Sequence, residues 1–127
     1  MMNIRFLVCE HCKNIVQMID DKKVPVMCCG QKMTPLVPNT TEAAGEKHLP
    51  VVEVNGDKVT VTVGSVLHPM GEDHSIVWIY LETTNGGQRK NLSFDGEPKA
   101  EFVLSEGEKA LSAYAYCNLH GLWKTEI

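Results

Sequence analysis

The sequence predicts a mainly β protein in two parts, a small cysteine-tied module followed by an antiparallel β-sandwich or barrel. Three observations predict it. Four of the five cysteines fall within the first 29 of 127 residues, in a turn-rich stretch. From Pro50 onward, short runs alternate apolar and polar residues and are separated by turn signals. No segment after Pro50 sustains a 3.6-residue apolar period.

Taken in order, residues 1–37 form the cysteine module, 38–50 a linker and 51–127 the β domain. The linker, with its flank "LVPNTTEAAGEKHLP", has Pro, Asn, Thr, Gly and charges but no apolar period, which suits a long loop. "VVEVNGDKVTVTVG" is two alternating runs joined at Asn55-Gly56, a hairpin signal. Val59, Val61 and Val63 share one face, with Thr60 and Thr62 on the other. "SIVWIYLETT" follows, then the turn "NGG". "RKNLSF", "KAEFVLS" and "KALSAYAYC" continue the pattern, with Gly96-Glu97-Pro98 and Glu106-Gly107-Glu108 as turns.

Composition narrows the function classes. Hydrophobic residues at 43% and charged residues at 22% suit a globular protein, and a charge of −4 gives no general attraction to nucleic acid or membrane. "MMNIRFLVCEHCK" lacks the apolar middle of a secretory leader, so a cytoplasmic location is expected. Clustered cysteines in that reducing compartment bind metal or do redox work more often than they pair, and an odd cysteine count agrees.

The first constellation is Cys9-x-x-Cys12 with adjacent Cys28-Cys29. A two-residue gap lets two thiolates reach one ion from a tight turn. Adjacent residues of an extended chain point to opposite sides, so Cys28 and Cys29 share an ion only through a bent backbone, which Gly30 helps to supply. A distorted tetrahedral site follows. On spacing alone a structural zinc leads, with iron sharing the geometry. His11 would be a fifth ligand and is read as facing solvent. Such a site can supply roughly 10 kcal/mol or more of folding free energy, enough to order a module with little core.

The second constellation is His48, His68, His74, Cys117 and His120. Each lies near a strand end or in a loop. Taken singly, each histidine is an ordinary surface or core residue, and Cys117 a small buried hydrophobe. Loops at one end of a sandwich cluster in space, so together they can converge on a metal. Four imidazoles and a thiolate exceed the usual four ligands of zinc and favour a metal that accepts five or six, with iron and copper as candidates. If the nitrogens form a square, the thiolate is axial and the position opposite is open for a small ligand. An axial thiolate pushes electron density toward that position. "GEKH" before the first of these ligands is, by composition alone, a solvated charged loop.

At these residues the chain resembles the desulfoferrodoxins, the two-iron class of superoxide reductase. "CEHCKNIV", "MCCGQKM", "GEKHLPVV", "SVLHPMGEDHSIVWI" and "YCNLHGLWK" carry the resemblance, in this order and over nearly the whole length. It implies a desulforedoxin-like module with iron on Cys9, Cys12, Cys28 and Cys29. It implies an immunoglobulin-like seven-stranded antiparallel sandwich with a catalytic iron, on four equatorial histidines (His48, His68, His74, His120) and axial Cys117. The implied reaction is one-electron reduction of superoxide to hydrogen peroxide, without dioxygen. Lys47 would attract the anion and position a proton-donating water. Glu46 would be the carboxylate that closes the sixth position on ferric iron. Backbone N–H groups of Asn118 to His120 would donate to the Cys117 sulfur. A rubredoxin-like electron donor and a homodimer are also implied. Two other functions compete: a zinc-ribbon and β-sandwich binding module, and an electron carrier without catalysis.

Overall fold

The structure is a computed structural model, and it describes residues 4–127. The chain divides into two compact units, Met1–Val37 and Pro38–Ile127.

In the first unit, β1 (Phe6–Val8) lies between β2 (Ile15–Gln17) and β5 (Thr34–Pro35), antiparallel to both. A separate hairpin pairs β3 (Met27–Cys28) with β4 (Gln31–Lys32). Its two turn residues, Cys29 and Gly30, have φ of 53° and 74°. Positive φ at both central positions is the twist that joins two strands with a two-residue turn. The bend expected at Gly30 therefore begins one residue earlier, on Cys29 itself. The buried cluster here is Leu7, Cys9 and Met33, with Val16, Met18, Val26 and Cys28 packed against it. One of its members is a candidate ligand, so the apolar core is very small.

The second unit holds two antiparallel sheets. One has the order β10 (Lys99–Val103), β7 (Lys58–Val63), β6 (Pro50–Asn55). The other has the order β12 (Gly121–Glu126), β11 (Ala110–Cys117), β8 (Ile76–Thr83), β9 (Gly86–Asn91). Their inner faces share one core. Val59, Val61 and Val63 of β7 are fully buried and alternate with Thr60 and Thr62, as the period predicts. In the facing sheet Ala113 and Ala115 pair with Leu81 and Ile79. Small residues beside large ones let the two layers interdigitate at crystal-like density. This is the mainly β sandwich that the sequence predicts.

Three local details differ from the sequence reading. The β6–β7 hairpin is present, but Asn55 pairs with Lys58, so the turn is Gly56-Asp57 and only Gly56 takes positive φ, at 65°. The turn after β8 is Thr84-Asn85 rather than Asn-Gly-Gly, because Thr83 pairs with Gly86 and both glycines join β9. Gly87 belongs there for a steric reason: a Cβ would strike the Tyr80 hydroxyl lying over it. Finally, 38–50 is not all loop. Gly45–His48 forms one helical turn, α1, with the Leu49 N–H closing on Gly45 O at 2.8 Å.

Phe102 is the largest fully buried side chain of the sandwich. Phe102→Ala is expected to cost about 3–5 kcal/mol through lost transfer energy and the cavity left behind. Denaturant unfolding followed by tryptophan fluorescence measures it, and a cost under about 1 kcal/mol would contradict the packing described.

Candidate metal centres

In the first unit, the Cys9–Cys12 segment is a tight knuckle. The Lys13 N–H donates to Cys9 O at 2.8 Å, the Cys9 N–H to Asn14 O at 2.9 Å, and Lys13 takes a φ of 68°. The Cys12 N–H reaches the Cys9 sulfur at 3.4 Å. Across from it, the Cys12 and Cys28 sulfurs are 3.6 Å apart. The four sulfurs all lie within 4.8 Å of one another. Backbone N–H groups of Cys12 and His11 help to draw the Cys9 thiol down to about 6, against its burial. Hydrogen bonds to Cys12 and Cys9 hold Cys28 up and push Cys29 to about 12. Without a cation, then, the arrangement favours a thiolate at Cys9 and disfavours ionisation of Cys28 and Cys29. A metal ion lifts that restriction by displacing the protons. His11 is exposed, as expected.

In the second unit, five donors arrive from four segments at one end of the sandwich. His48 ends α1. His68 and His74 bracket the segment between β7 and β8. Cys117 ends β11, just after a register shift against β8. Such a bulge re-aims the side chain that follows it. His120 sits in the three-residue turn to β12, where Cys117 pairs with Gly121 and Gly121 takes a φ of 78°. Cys117, His48 and His68 are buried.

The four imidazoles form a closed ring. Centroids are 4.7 Å apart for His48–His68, 4.6 Å for His68–His74, 5.2 Å for His74–His120 and 4.9 Å for His120–His48. Interplanar angles run from 77° to 88°, so each ring stands nearly perpendicular to the next, like the vanes of a pinwheel. His48 Nε2 is 3.1 Å from His120 Nδ1. The Cys117 sulfur is 3.5 Å from His68 Nε2 and 3.8 Å from His120 Nδ1. All five donor atoms lie within 4.8 Å of one another. Nitrogens about 2.1 Å from a shared ion would stand about 3 Å apart when adjacent and about 4 Å when opposite, so this spacing is compatible with all five donors meeting one ion.

Protonation agrees. His48 Nδ1 faces Ala44 O at 2.8 Å and His68 Nδ1 faces Pro69 O at 2.7 Å. A ring nitrogen against a carbonyl carries its hydrogen, which leaves each Nε2 lone pair facing inward. His74 Nε2 is the buried side-chain polar atom left without a partner among the described residues. An ion would satisfy it. Burial, reinforced by the other three imidazoles, lowers His68 to about 4, and burial also lowers His74. These rings are lone-pair donors rather than cations at neutral pH. Burial raises the Cys117 thiol, while the N–H groups of Leu119 and His120 favour its thiolate. The expected third donor, the Asn118 N–H, goes instead to Ser75 O at 3.2 Å.

Two neighbours escaped the sequence reading. Trp123 stacks on His48 at 4.9 Å, and its Nε1–H donates to His120 O at 3.1 Å, so one indole braces two ligands. Gly64 lies under α1. A Cβ there would stand 2.6 Å from Glu46 O and 2.9 Å from Leu49 O. Only glycine lets the helical turn that carries His48 approach so closely. Nothing in "TVGSV" distinguishes that glycine from an ordinary turn residue. Glu46 and Lys47 are exposed on α1 beside buried His48. The Val66 N–H and the Ser65 hydroxyl both donate to Glu46 O and pin the turn from outside.

Comparison with known proteins follows the same lines. A family model described as desulfoferrodoxin matches residues 40–126. The chain is 46% identical over 118 residues to a desulfoferrodoxin of Syntrophotalea carbinolica, covering 93% of this chain and 92% of that protein. It is 40% identical over 100 residues to a superoxide reductase of Pyrococcus abyssi, covering 65% of this chain and 87% of that one. Among solved structures, the superoxide reductase from Treponema pallidum superposes with a TM-score of 0.84 at 38% identity, over 98% of this chain and all of the other.

Gly64→Ala is expected to push α1 outward and to empty the five-donor site, because His48 moves with the turn. Elemental analysis should fall from two metal ions per chain toward one. Retention of both would show that α1 can yield without moving its histidine.

Proposed function

The chain belongs to the desulfoferrodoxin family, and from that premise we propose how its residues divide the work. It is a superoxide reductase, an oxidoreductase that converts superoxide to hydrogen peroxide by one-electron reduction. It uses two iron ions, one at each donor cluster. The observation that carries the reading is the pinwheel of four inward-facing imidazoles with one buried sulfur beside it.

His48, His68, His74, His120 and Cys117 would hold the catalytic iron. Cys9, Cys12, Cys28 and Cys29 hold the second. When bound, the catalytic iron would supply the electron and a place for the anion to bind. The chain supplies the rest. Lys47 is exposed, one residue from buried His48, and puts a positive charge beside the site in a protein of net charge −4. That charge raises the encounter rate of an anion by about tenfold or more and can orient a water for proton delivery. Glu46 precedes it on the same helical turn and would be the carboxylate that closes the site when the iron is ferric. The N–H groups of Leu119 and His120 favour the Cys117 thiolate against burial and, once a metal displaces its proton, would temper its electron donation.

Residues 1–37 act as the four-thiolate iron module, 38–50 as the linker that ends in the Glu-Lys-His turn, and 51–127 as the reductase domain. The electron donor is a rubredoxin-like carrier. Ile19, Val24, Met27 and Val37 are apolar and between 60% and 85% exposed on the small unit. So much bare apolar surface suits burial against a second copy, which supports a homodimer. Five cysteines without a disulfide suit a reducing cytoplasm. Among the described residues, no helix is long and apolar enough to cross a membrane.

A pulse of superoxide tests the reading. Peroxide should form in a one-to-one ratio with superoxide consumed, with no dioxygen released; dioxygen release would make the protein a dismutase instead. Lys47→Ala should slow the encounter about tenfold at low salt and flatten its ionic-strength dependence. Glu46→Ala should leave the encounter rate intact and change the resting ferric spectrum. Sedimentation should give a dimer that Ile19→Glu weakens, and a monomer at micromolar concentration would remove the second copy.

A further inference from the structure

The ligands differ in how they are held. His48 and His68 are tethered through their outer nitrogens to carbonyls of their own segments, Ala44 and Pro69. His120 is braced through its backbone carbonyl by Trp123. His74 has no tether on its ring: among the described residues, no hydrogen bond reaches its imidazole, and its backbone carbonyl accepts from Gly71 of its own segment. It also sits in a segment, residues 69–75, without regular secondary structure. The segment is closed on itself, by Gly71 N–H to His74 O at 2.9 Å and by Ile76 N–H to the Met70 sulfur at 3.3 Å. Neither contact relates His74 to the other four donors.

The link to the other donors comes from Asn118. Its Nδ2–H donates to Asp73 O at 2.9 Å, and its Oδ1 accepts from the Ser75 N–H at 3.0 Å. Its backbone N–H donates to Ser75 O at 3.2 Å. The amide thus grips the main chain on both sides of His74. Its orientation is fixed, because a flip would set oxygen against oxygen and N–H against N–H. The β8–β11 ladder ends at the Cys117–Ile76 pair. Asn118 extends it one step further with its side chain in the place of a strand.

We infer that Asn118 is a positioning residue of the catalytic centre, setting His74 relative to Cys117. It touches neither iron nor superoxide. It acts by holding a ligand whose ring has no hydrogen bond at a fixed place relative to the sulfur, and so sets the affinity for iron and the potential of the site. The inference rests on the proposed ligand set.

The experiment uses the full chain loaded with iron. Asn118→Ala removes both side-chain bonds. Asn118→Asp has nearly the same shape, keeps the acceptor for Ser75 N–H and sets a carboxylate oxygen against Asp73 O. Iron affinity of the five-donor site should fall about tenfold or more in Asn118→Ala, in keeping with the usual effect of losing an outer partner. Asn118→Asp should show a smaller loss. The ferric thiolate absorption band and the midpoint potential should shift in both. The four-cysteine iron of the same chain serves as internal reference and should keep its affinity and spectrum. If Asn118→Ala fails to fold, Asn118→Asp decides. Wild-type affinity, band and potential in a folded Asn118→Asp would overturn the inference. These readouts need no superoxide, so they stand apart from any failure of the proposed reaction.

Discussion

Everything at the working end of this protein follows from five uncharged or weakly acidic donors crowded within 4.8 Å of one another. Burial holds His68 and His74 neutral and discourages ionisation of Cys117. Lone pairs turned toward a common centre repel unless a cation stands there. A donor set of this kind is therefore a demand for a metal, and every surrounding contact serves to keep the donors from turning away. The carbonyls of Ala44 and Pro69 fix two tautomers, Trp123 stacks on the His48 ring and holds the His120 carbonyl, and the amide of Asn118 grips the chain beside His74.

The sandwich delivers these donors by ending its strands at the same edge. β11 presents Cys117 after a bulge, its turn presents His120 three residues on, and the connection from β7 to β8 presents His68 and His74. The fourth histidine has no strand to carry it and arrives on one turn of helix. That turn needs a glycine beneath it, so Gly64 couples the packing of the sheet to the geometry of the centre. The core behind holds the edge in place, with alanines opposite larger aliphatics across β8 and β11.

Much of this was legible from residues. Period-two valines marked β7, and the cysteine pairs marked the small unit. The five donors could be grouped because loops at one end of a sandwich cluster in space, but their individual roles came only from resemblance to a known pattern, since no spacing rule links residues 48, 68, 74, 117 and 120. What the sequence concealed was of two kinds. Turn positions slid by a residue at Gly56-Asp57 and Thr84-Asn85, because register is decided by cross-strand pairing rather than by the turn residues alone. The supporting residues Gly64, Trp123 and Asn118 look ordinary in sequence, because their roles exist only against partners distant along the chain.

The unequal cores of the two units have a consequence for how each metal comes and goes. The small unit buries Phe6, Leu7, Val8, Met33 and one of its own cysteines, so ion binding and folding are closely coupled there, and chelation should loosen the fold. The sandwich has a core of Phe102, Ile79, Leu81 and the β7 valines that does not depend on the ion. Its pocket persists as a mould. An iron lost from it during turnover can be replaced by simple reloading, whereas regaining an iron lost from the cysteines also means tightening the fold around it.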